Sequence, residues 1–577
     1  MKKLALILLM TARSVRKRKI VLSLSIAAVL AAALLLAVLT AQPAQAKPGY
    51  GEPCSTCHIS PLPTPGVVFE WQTVVNNGVK VPVEGDNRKF NSYNPPSLNV
   101  DRLVVFRART KGGMGGQPVH GVFTRDMAVA GTPVTTIFDR KTTVPQPNNI
   151  LWSPGNLLTT FIEPPSFPRI DMRTDTVASR GNHQPVWRYV LPDGTESRAG
   201  NTGIYTNPFG SLITGTSVLG ALPDFDFFAV PDTDPAVKFD VFPGAPAVTD
   251  GATVVFKGNF TEGLVGRTGV YYRDLTDVPI TLLDGTRLAP AGGMSPAVRI
   301  ADTSTIIPGT KATKFGSTAP PSAAKRLAVF AGFDNEASPT KGGIYRAPLT
   351  ASPTLTTLVK IGGQVPGEKK GVVFNRLGEG VSFDGRFVAF WGAWGAATRK
   401  LVLQCPEEGN AALLAYCRLL YPDGFSTTVP VNQGIFVHDT VSHATAVLAK
   451  APAKFSDFVY WNFSGRVPGA GEGGEDDAGE LARWRPATFL AVSGLADKSS
   501  ASLSDANFHV AFKARTGRIV DGAYVAPVDG IYLLKGPGNK APIAAVVETG
   551  MDGTLADPAS VVPGTQVPIP VTSMGIE

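Results

Sequence analysis

Residues that carry charge or redox chemistry are scarce in this chain of 577 residues. Lys, Arg, Asp and Glu together make up 17%, and there are four cysteines, six histidines and eight methionines. With hydrophobic residues at 44%, that composition excludes a disordered chain. Basic surface is scarcer than the formal net charge of +8 suggests. Lys2, Lys3, Arg13, Arg16, Lys17, Arg18 and Lys19 supply seven positive charges within residues 1–46, which hold no Asp or Glu, so the remainder carries a net +1. Charge therefore gives no ground for a nucleic-acid or anionic-membrane partner, both of which need clustered cations in the mature protein. Hydrolase and nucleotide signatures are lacking too. No G-x-S-x-G elbow occurs, and no G-x-G-x-x-G stands between a strand and a helix. The acidic stretches 224–234 and 472–480 lack the D-x-D-x-D-G spacing of a calcium loop and read as solvated loops. Glycine and proline, by contrast, are abundant at 61 and 48 residues, which points to a fold of many short strands and turns.

The basic N-terminus is followed by an apolar run from Ile20 to Leu39 and then Ala44-Gln45-Ala46, the order of a secretory signal. The run is also nearly long enough to cross a bilayer, so residues 1–46 are a signal peptide or, if uncleaved, a membrane anchor. Either way the rest is expected in an exported, periplasmic or extracellular setting. The four cysteines fall into two close pairs, and Cys405 with Cys417 is expected to form a local disulfide in that oxidising setting.

The first pair has different neighbours. Cys54-Ser55-Thr56-Cys57-His58 spells C-x-x-C-H, in which two thiols can form thioethers to the vinyl groups of a haem while the histidine reaches the iron. The motif resembles that of c-type cytochromes over five residues, and the resemblance implies one covalent haem c held by Cys54 and Cys57, with His58 as proximal ligand. Two other readings stay open, a Cys54–Cys57 disulfide beside an incidental histidine and half of a zinc site, although no second C-x-x-C or H-x-x-x-H pair completes the latter. Pro48, Pro53, Pro61, Pro63 and Pro65 bar both helix and central strand, so residues 47–66 read as an extended arm rather than a cytochrome domain. A sixth iron ligand has two candidates, Met114 and His120; His183, His438, His443 and His509 read as structural or exposed.

From about residue 67 one phrase recurs. A short apolar strand ends in an aromatic, a polar loop follows, and Gly-aliphatic-aromatic opens the next strand. The copies pair 103–106 with 121–123, 253–256 with 269–271, 327–330 with 343–345, 387–390 with 434–436 and 509–512 with 530–532. A weaker sixth joins 176–179 to 203–205. A third apolar run is expected behind each, among them 134–138, 278–283, 355–360, 444–448 and 543–547. Insertions at 393–433 and 464–485 account for the longest intervals. Six or so small sheets of this kind, each needing cover on both faces, specify an all-β fold, a β-propeller of about six blades over residues 67–577. Ser382-Phe383-Asp384-Gly385-Arg386-Phe387-Val388-Ala389-Phe390 resembles the S-x-D-G-x-x-[VI]-A-F phrase of TolB-like propellers, with 247–256 a partial second copy. A pair of β-sandwiches is the competing architecture.

The leading functional expectation is an exported c-type haem protein that transfers one electron, with the propeller as scaffold or docking domain for a redox partner protein. The alternatives are a non-catalytic exported binding propeller, with Cys54–Cys57 a disulfide, and a haem-linked periplasmic oxidoreductase with its substrate in the propeller channel. No nucleic-acid partner is expected, and membrane contact only through an uncleaved N-terminal segment.

Overall fold

The computed structural model describes residues 69–575 except 84–85, 112–117, 150–158, 184–186, 191–195, 200, 290–291, 408–410, 466, 468–480, 495–499 and 539. The leader, Cys54, Cys57, His58 and Met114 lie outside the described residues.

Six antiparallel sheets follow one another along the chain as the blades of a propeller. The second and third strands of each are Leu103–Thr110 with His120–Asp126, Val177–His183 with Thr202–Thr206, and Thr253–Glu262 with Val265–Asp274 in blades 1 to 3. In blades 4 to 6 they are Leu327–Phe333 with Gly342–Pro348, Phe387–Leu403 with Phe425–Asp439, and Asn507–Arg515 with Asp529–Pro537. A shorter strand lies against the second strand of each blade; in blades 1, 2 and 4 another short strand of the same sheet, Phe90–Tyr93, Phe161–Glu163 and Ser317–Thr318, comes before it. Ser97–Leu98, Arg169–Ile170, Ala247–Thr249, Ser322–Ala324, Phe374–Phe383 and Leu490–Ser493 pack successively on one another and so surround the axis.

The recurring phrase has a direct structural meaning. Its two aromatics are cross-strand partners in five blades: Phe106 with Phe123, Phe256 with Tyr271, Phe330 with Tyr345, Phe390 with Phe436 and Phe512 with Tyr532. In blade 2 the first aromatic is replaced by Ser179, opposite Tyr205. A third ring, absent from the phrase, lies edge-on to the second aromatic in every blade. Phe90, Phe161, Phe239, Phe315, Phe374 and Phe455 sit 4.7–5.3 Å from Phe123, Tyr205, Tyr271, Tyr345, Phe436 and Tyr532 respectively. Tilted or edge-to-face rings at this separation add about 0.5–1.5 kcal/mol per pair beyond the area they bury.

The glycine of Gly-aliphatic-aromatic is there because the ring folds back over it. Residues two apart share a face, and a Cβ on Gly121 or Gly269 would stand 2.6 Å from Phe123 or 2.5 Å from the Tyr271 hydroxyl. Between the aliphatic and the aromatic the pairing to the outer strand slips by one residue, at 122/123, 204/205, 270/271, 344/345, 435/436 and 531/532. This conserved place for a bulge strengthens the local twist that a radial array of blades requires.

Five apolar clusters fill successive gaps between blades. Val105, Val122, Phe138, Phe161 and Tyr205 join blades 1 and 2, for example, and Val255, Val270, Phe330 and Tyr345 join blades 3 and 4. Among the described residues no such cluster unites blade 6 with blade 1. There the Asn76 side chain donates to Asp557 at 2.9 Å and the Thr73 hydroxyl to the Ala556 carbonyl at 3.4 Å. Among the described residues no strand is exchanged across that closure, since every blade draws its strands from its own stretch of chain.

One expected outer strand is wrong. Residues 280–281, within the apolar run 278–283, pair with Arg287–Leu288 in a separate small hairpin, and the outer strand of blade 3 is Val298–Asp302. Phe225, Phe227 and Phe228 explain the diversion, for they form a satellite cluster with Ile280, Leu282 and Leu288 that draws this run away from the blade. In blade 5 the second and third strands continue as a paired ribbon to Leu403 and Phe425, capped by helix α1 (Ala411–Leu420). The Cys405–Cys417 disulfide, with Cα atoms 5.9 Å apart, ties that helix to the end of the ribbon. No helix among the described residues is long and apolar enough to cross a membrane.

Candidate functional site: a cationic cleft in blade 1

The second strand of blade 1 alternates in the usual way, so Val105, Arg107 and Arg109 share a face. Val105 packs into the cluster between blades 1 and 2. Arg107 and Arg109 continue that face beyond the apolar cluster. Pairing completes the site. Ser92 and His120 stand opposite Arg109 on its two neighbouring strands, and the Asn94 backbone N–H donates to the Arg107 carbonyl at 3.0 Å. Cross-strand partners lie about 5 Å apart, so Ser92, Arg109 and His120 form one row, with Asn94 and Arg107 beside it. These five residues, with Ala108, line a cavity of about 220 Å³.

Arg109 is exposed, and Ser92, Asn94, Arg107 and His120 are half-buried. Among the described residues none of the five side chains has a hydrogen-bond or ion-pair partner. Burial pushes the His120 imidazole down to about 4, with the Arg107 charge the next contributor, so the ring is neutral at neutral pH. Burial also lowers the proton affinity of Arg107, partly opposed by Glu163 at the end of the blade 2 strand Phe161–Glu163. Arg107 stays a cation. The site is therefore a polar concavity with two fixed positive charges, a neutral imidazole and two neutral hydrogen-bonding side chains.

The same strand position is basic elsewhere. The residue following the strand aromatic, or its replacement Ser179, is Arg107, Arg180, Lys257 and Lys513 in blades 1, 2, 3 and 6. Partners distinguish them. Arg180 is buried and donates to the Thr202 hydroxyl at 3.2 Å, and Lys513 lies 4.1 Å over the Tyr460 ring beside the Arg515–Asp529 ion pair of 2.6 Å. Lys257 is lowered by burial and faces the Glu379 charge from the first strand of blade 5. Glu379 is solvent-exposed, yet desolvation by the surrounding protein raises it. Two such cations and a cavity coincide in blade 1.

The other expected positions separate clearly. His183 Nε2 lies 2.7 Å from the Tyr205 hydroxyl and His438 Nδ1 2.9 Å from the Thr445 hydroxyl, both structural arrangements; His443 sits exposed in a turn. No group of three or more His, Cys, Asp or Glu suited to a metal occurs among the described residues. His438 has a measurable consequence. Burial pushes it down to about 4, so the folded protein refuses a proton that the unfolded chain accepts near pH 6.5. Its contribution is intact above pH 6.5 and is lost as pH falls towards 4, at up to about 1.4 kcal/mol per pH unit. Urea midpoints measured from pH 7 to pH 4 are expected to fall less steeply in His438→Leu than in the parent.

No protein-family model matches the chain, and no curated protein matches it. Three solved structures align weakly. The polysaccharide lyase Uly1 is 10% identical with a TM-score of 0.27, the alignment covering 55% of this chain and 57% of the lyase. A glycosyl hydrolase from Bacteroides ovatus is 14% identical with a TM-score of 0.21, covering 56% of this chain and 90% of that one. The isopeptidase AtxE2 with Astexin3-dC4 bound is 9% identical with a TM-score of 0.19, covering 75% and 58%. This chain thus spans a little over half the length of the lyase.

Proposed function

We propose that the protein is an exported c-type haem protein in which the propeller is a scaffold or docking body for one-electron exchange with a redox partner. The observation that carries the reading is Cys54-Ser55-Thr56-Cys57-His58 directly behind a basic, then apolar leader. Two thiols at this spacing match the two vinyl groups, and the adjacent imidazole supplies the proximal nitrogen. When bound, the haem iron supplies a reversible one-electron couple; the protein supplies axial ligands and the surroundings that set its potential.

The described residues are compatible in donor chemistry. His120 offers a neutral imidazole without a hydrogen-bond partner among them, which is the form in which histidine ligates iron. His120 and Met114 remain the proposed alternatives for a sixth ligand, and a five-coordinate iron fits the motif equally.

The test is the absorption spectrum of the full chain, oxidised and reduced, from a host competent for cytochrome c maturation, together with its intact mass. Covalent haem is expected, with a pyridine haemochrome typical of two thioethers. Replacing both Cys54 and Cys57 by Ala should abolish covalent attachment, and His58→Ala should change the spectrum while leaving the thioether mass. A parent protein two hydrogens lighter than its sequence after allowing for Cys405–Cys417, and free of haem, would instead establish the Cys54–Cys57 disulfide and the non-catalytic binding reading.

A further inference from the structure

We infer that the cleft of Ser92, Asn94, Arg107, Arg109 and His120 is a binding site for a small oxyanion, a phosphate or carboxylate group carried by a free ligand. The inference shares only His120 with the haem reading, as one of the two alternatives for a sixth ligand, and otherwise uses residues of the propeller that the haem reading does not involve. Its basis is a mismatch between charge and partners. Three structurally described arginines close to blade cores are answered: Arg386 by Asp439 at 2.9 Å, Arg515 by Asp529 at 2.6 Å, and Arg273 by three backbone carbonyls and the loop of Gly293. Arg107 and Arg109 have no hydrogen bond or ion pair among the described residues, though they sit two positions apart on one face. Like charges so placed repel, and a fold that sets half-buried Arg107 and exposed Arg109 at one concavity gains if an anion lies between them.

The neutral members of the site fit the same ligand. Ser92 offers a hydroxyl, Asn94 an amide NH2 and His120 a ring N–H in one tautomer, so all five side chains can donate to oxygen. Among the described residues no carboxylate lines the cavity; Glu163, which acts on Arg107 and His120 electrostatically, lies outside the lining residues. A volume of about 220 Å³ suits a phosphate, a short dicarboxylate or the charged end of a larger molecule and is below the range of drug-sized pockets. Guanidinium pairs grip such groups through parallel N–H···O bonds, which sets specificity for planar or tetrahedral oxyanions over chloride.

Orthophosphate and succinate, each titrated into the full-length protein by calorimetry at constant ionic strength set with chloride, test the site. Saturable binding of either, at one equivalent per chain, is expected; the tighter of the two identifies phosphate or carboxylate as the natural group. Arg109→Gln, at an exposed position, should weaken that binding at least tenfold with unaltered circular dichroism, and Asn94→Ala should weaken it without removing charge. No binding beyond the chloride control, or equal affinity in parent and Arg109→Gln, overturns the proposal. The double Cys54→Ala, Cys57→Ala protein separates this result from the haem reading: anion binding is expected to persist there, whereas loss of haem from the parent's spectrum bears on the haem reading alone.

Discussion

Tyr271→Ala is expected to destabilise the protein by about 3–5 kcal/mol, while Tyr271→Phe is expected to cost nothing or to stabilise it slightly. The ring is fully buried between Phe256 at 6.0 Å and Phe239 at 4.9 Å, at the centre of the cluster joining blades 2 and 3. Truncation removes both ring contacts and leaves a cavity where a bulge has already used the local freedom of the strand. The hydroxyl is a different matter. It is buried without a hydrogen-bond partner among the described residues, so its removal relieves a desolvated polar group. Tyr532 provides the contrast, because its hydroxyl donates to Glu548 at 2.7 Å. Tyr532→Phe would take a hydrogen bond from a buried carboxylate and should cost about 1–3 kcal/mol. Urea midpoints for the three variants, with unchanged slope, check the ranking. Equal effects of the two Tyr→Phe changes would show that the orphan hydroxyl is hydrated in solution.

Arg273→Met is expected to cost about 3–5 kcal/mol, and Arg273→Lys nearly as much. Arg273 is completely buried without a carboxylate partner among the described residues, and desolvation lowers its proton affinity, yet it remains charged at neutral pH. Its cation is met by carbonyl dipoles: Ser295 O at 2.7 Å, Gly215 O at 2.8 Å, Gly292 O at 3.4 Å and Gly293 O. Phe227 and Phe228 present their faces at 5.0 and 4.7 Å. Gly215 belongs to the outer strand of blade 2, Ile213–Ser217, and Arg273 to the third strand of blade 3, so one guanidinium fastens two blades and a loop. Methionine fills the volume but abandons four carbonyls in a dry site. Lysine keeps the charge but has no fork to reach them together. Hydrogen exchange should therefore rise in strand 213–217 as well as around position 273, which a purely local packing defect would not produce.

The fold was readable because its repeat places two aromatics in direct cross-strand register, at fixed distance from a glycine that the second ring covers. The third ring escaped notice for a geometrical reason. Phe90 precedes Phe106 by 16 residues, but Phe455 precedes Phe512 by 57, with the hairpin of Tyr460–Ser464 and Arg483–Ala487 between them. Spacing cannot reveal a contact whose linker varies that much. The blade 3 outer strand was misplaced because apolar residues at 278–283 serve a satellite cluster, and periodicity does not say which sheet an apolar run will join. His120 was picked out as an imidazole in the first repeat, but its arginine neighbours were missed. Total charge after residue 46 is near zero, which conceals that Arg107, Lys257 and Lys513 occupy one repeat position directly behind the strand aromatic. Aligning the repeats on their aromatics exposes that signal, whereas summing charges erases it.

The closure between blade 6 and blade 1 bears on how the ring comes together. Since each blade finds all its strand partners nearby in sequence, sheet formation needs only short-range encounters and can keep pace with a chain that emerges from one end. Among the described residues the two ends meet where residues 73–76 hydrogen-bond to 556–557, some 480 residues apart, and where Gly575 lies against Pro95, through side-chain and carbonyl contacts rather than a shared strand. Assembly is thus a row of local steps finished by one late, weakly held encounter, and the same joint is where the completed ring yields first to a protease or to force.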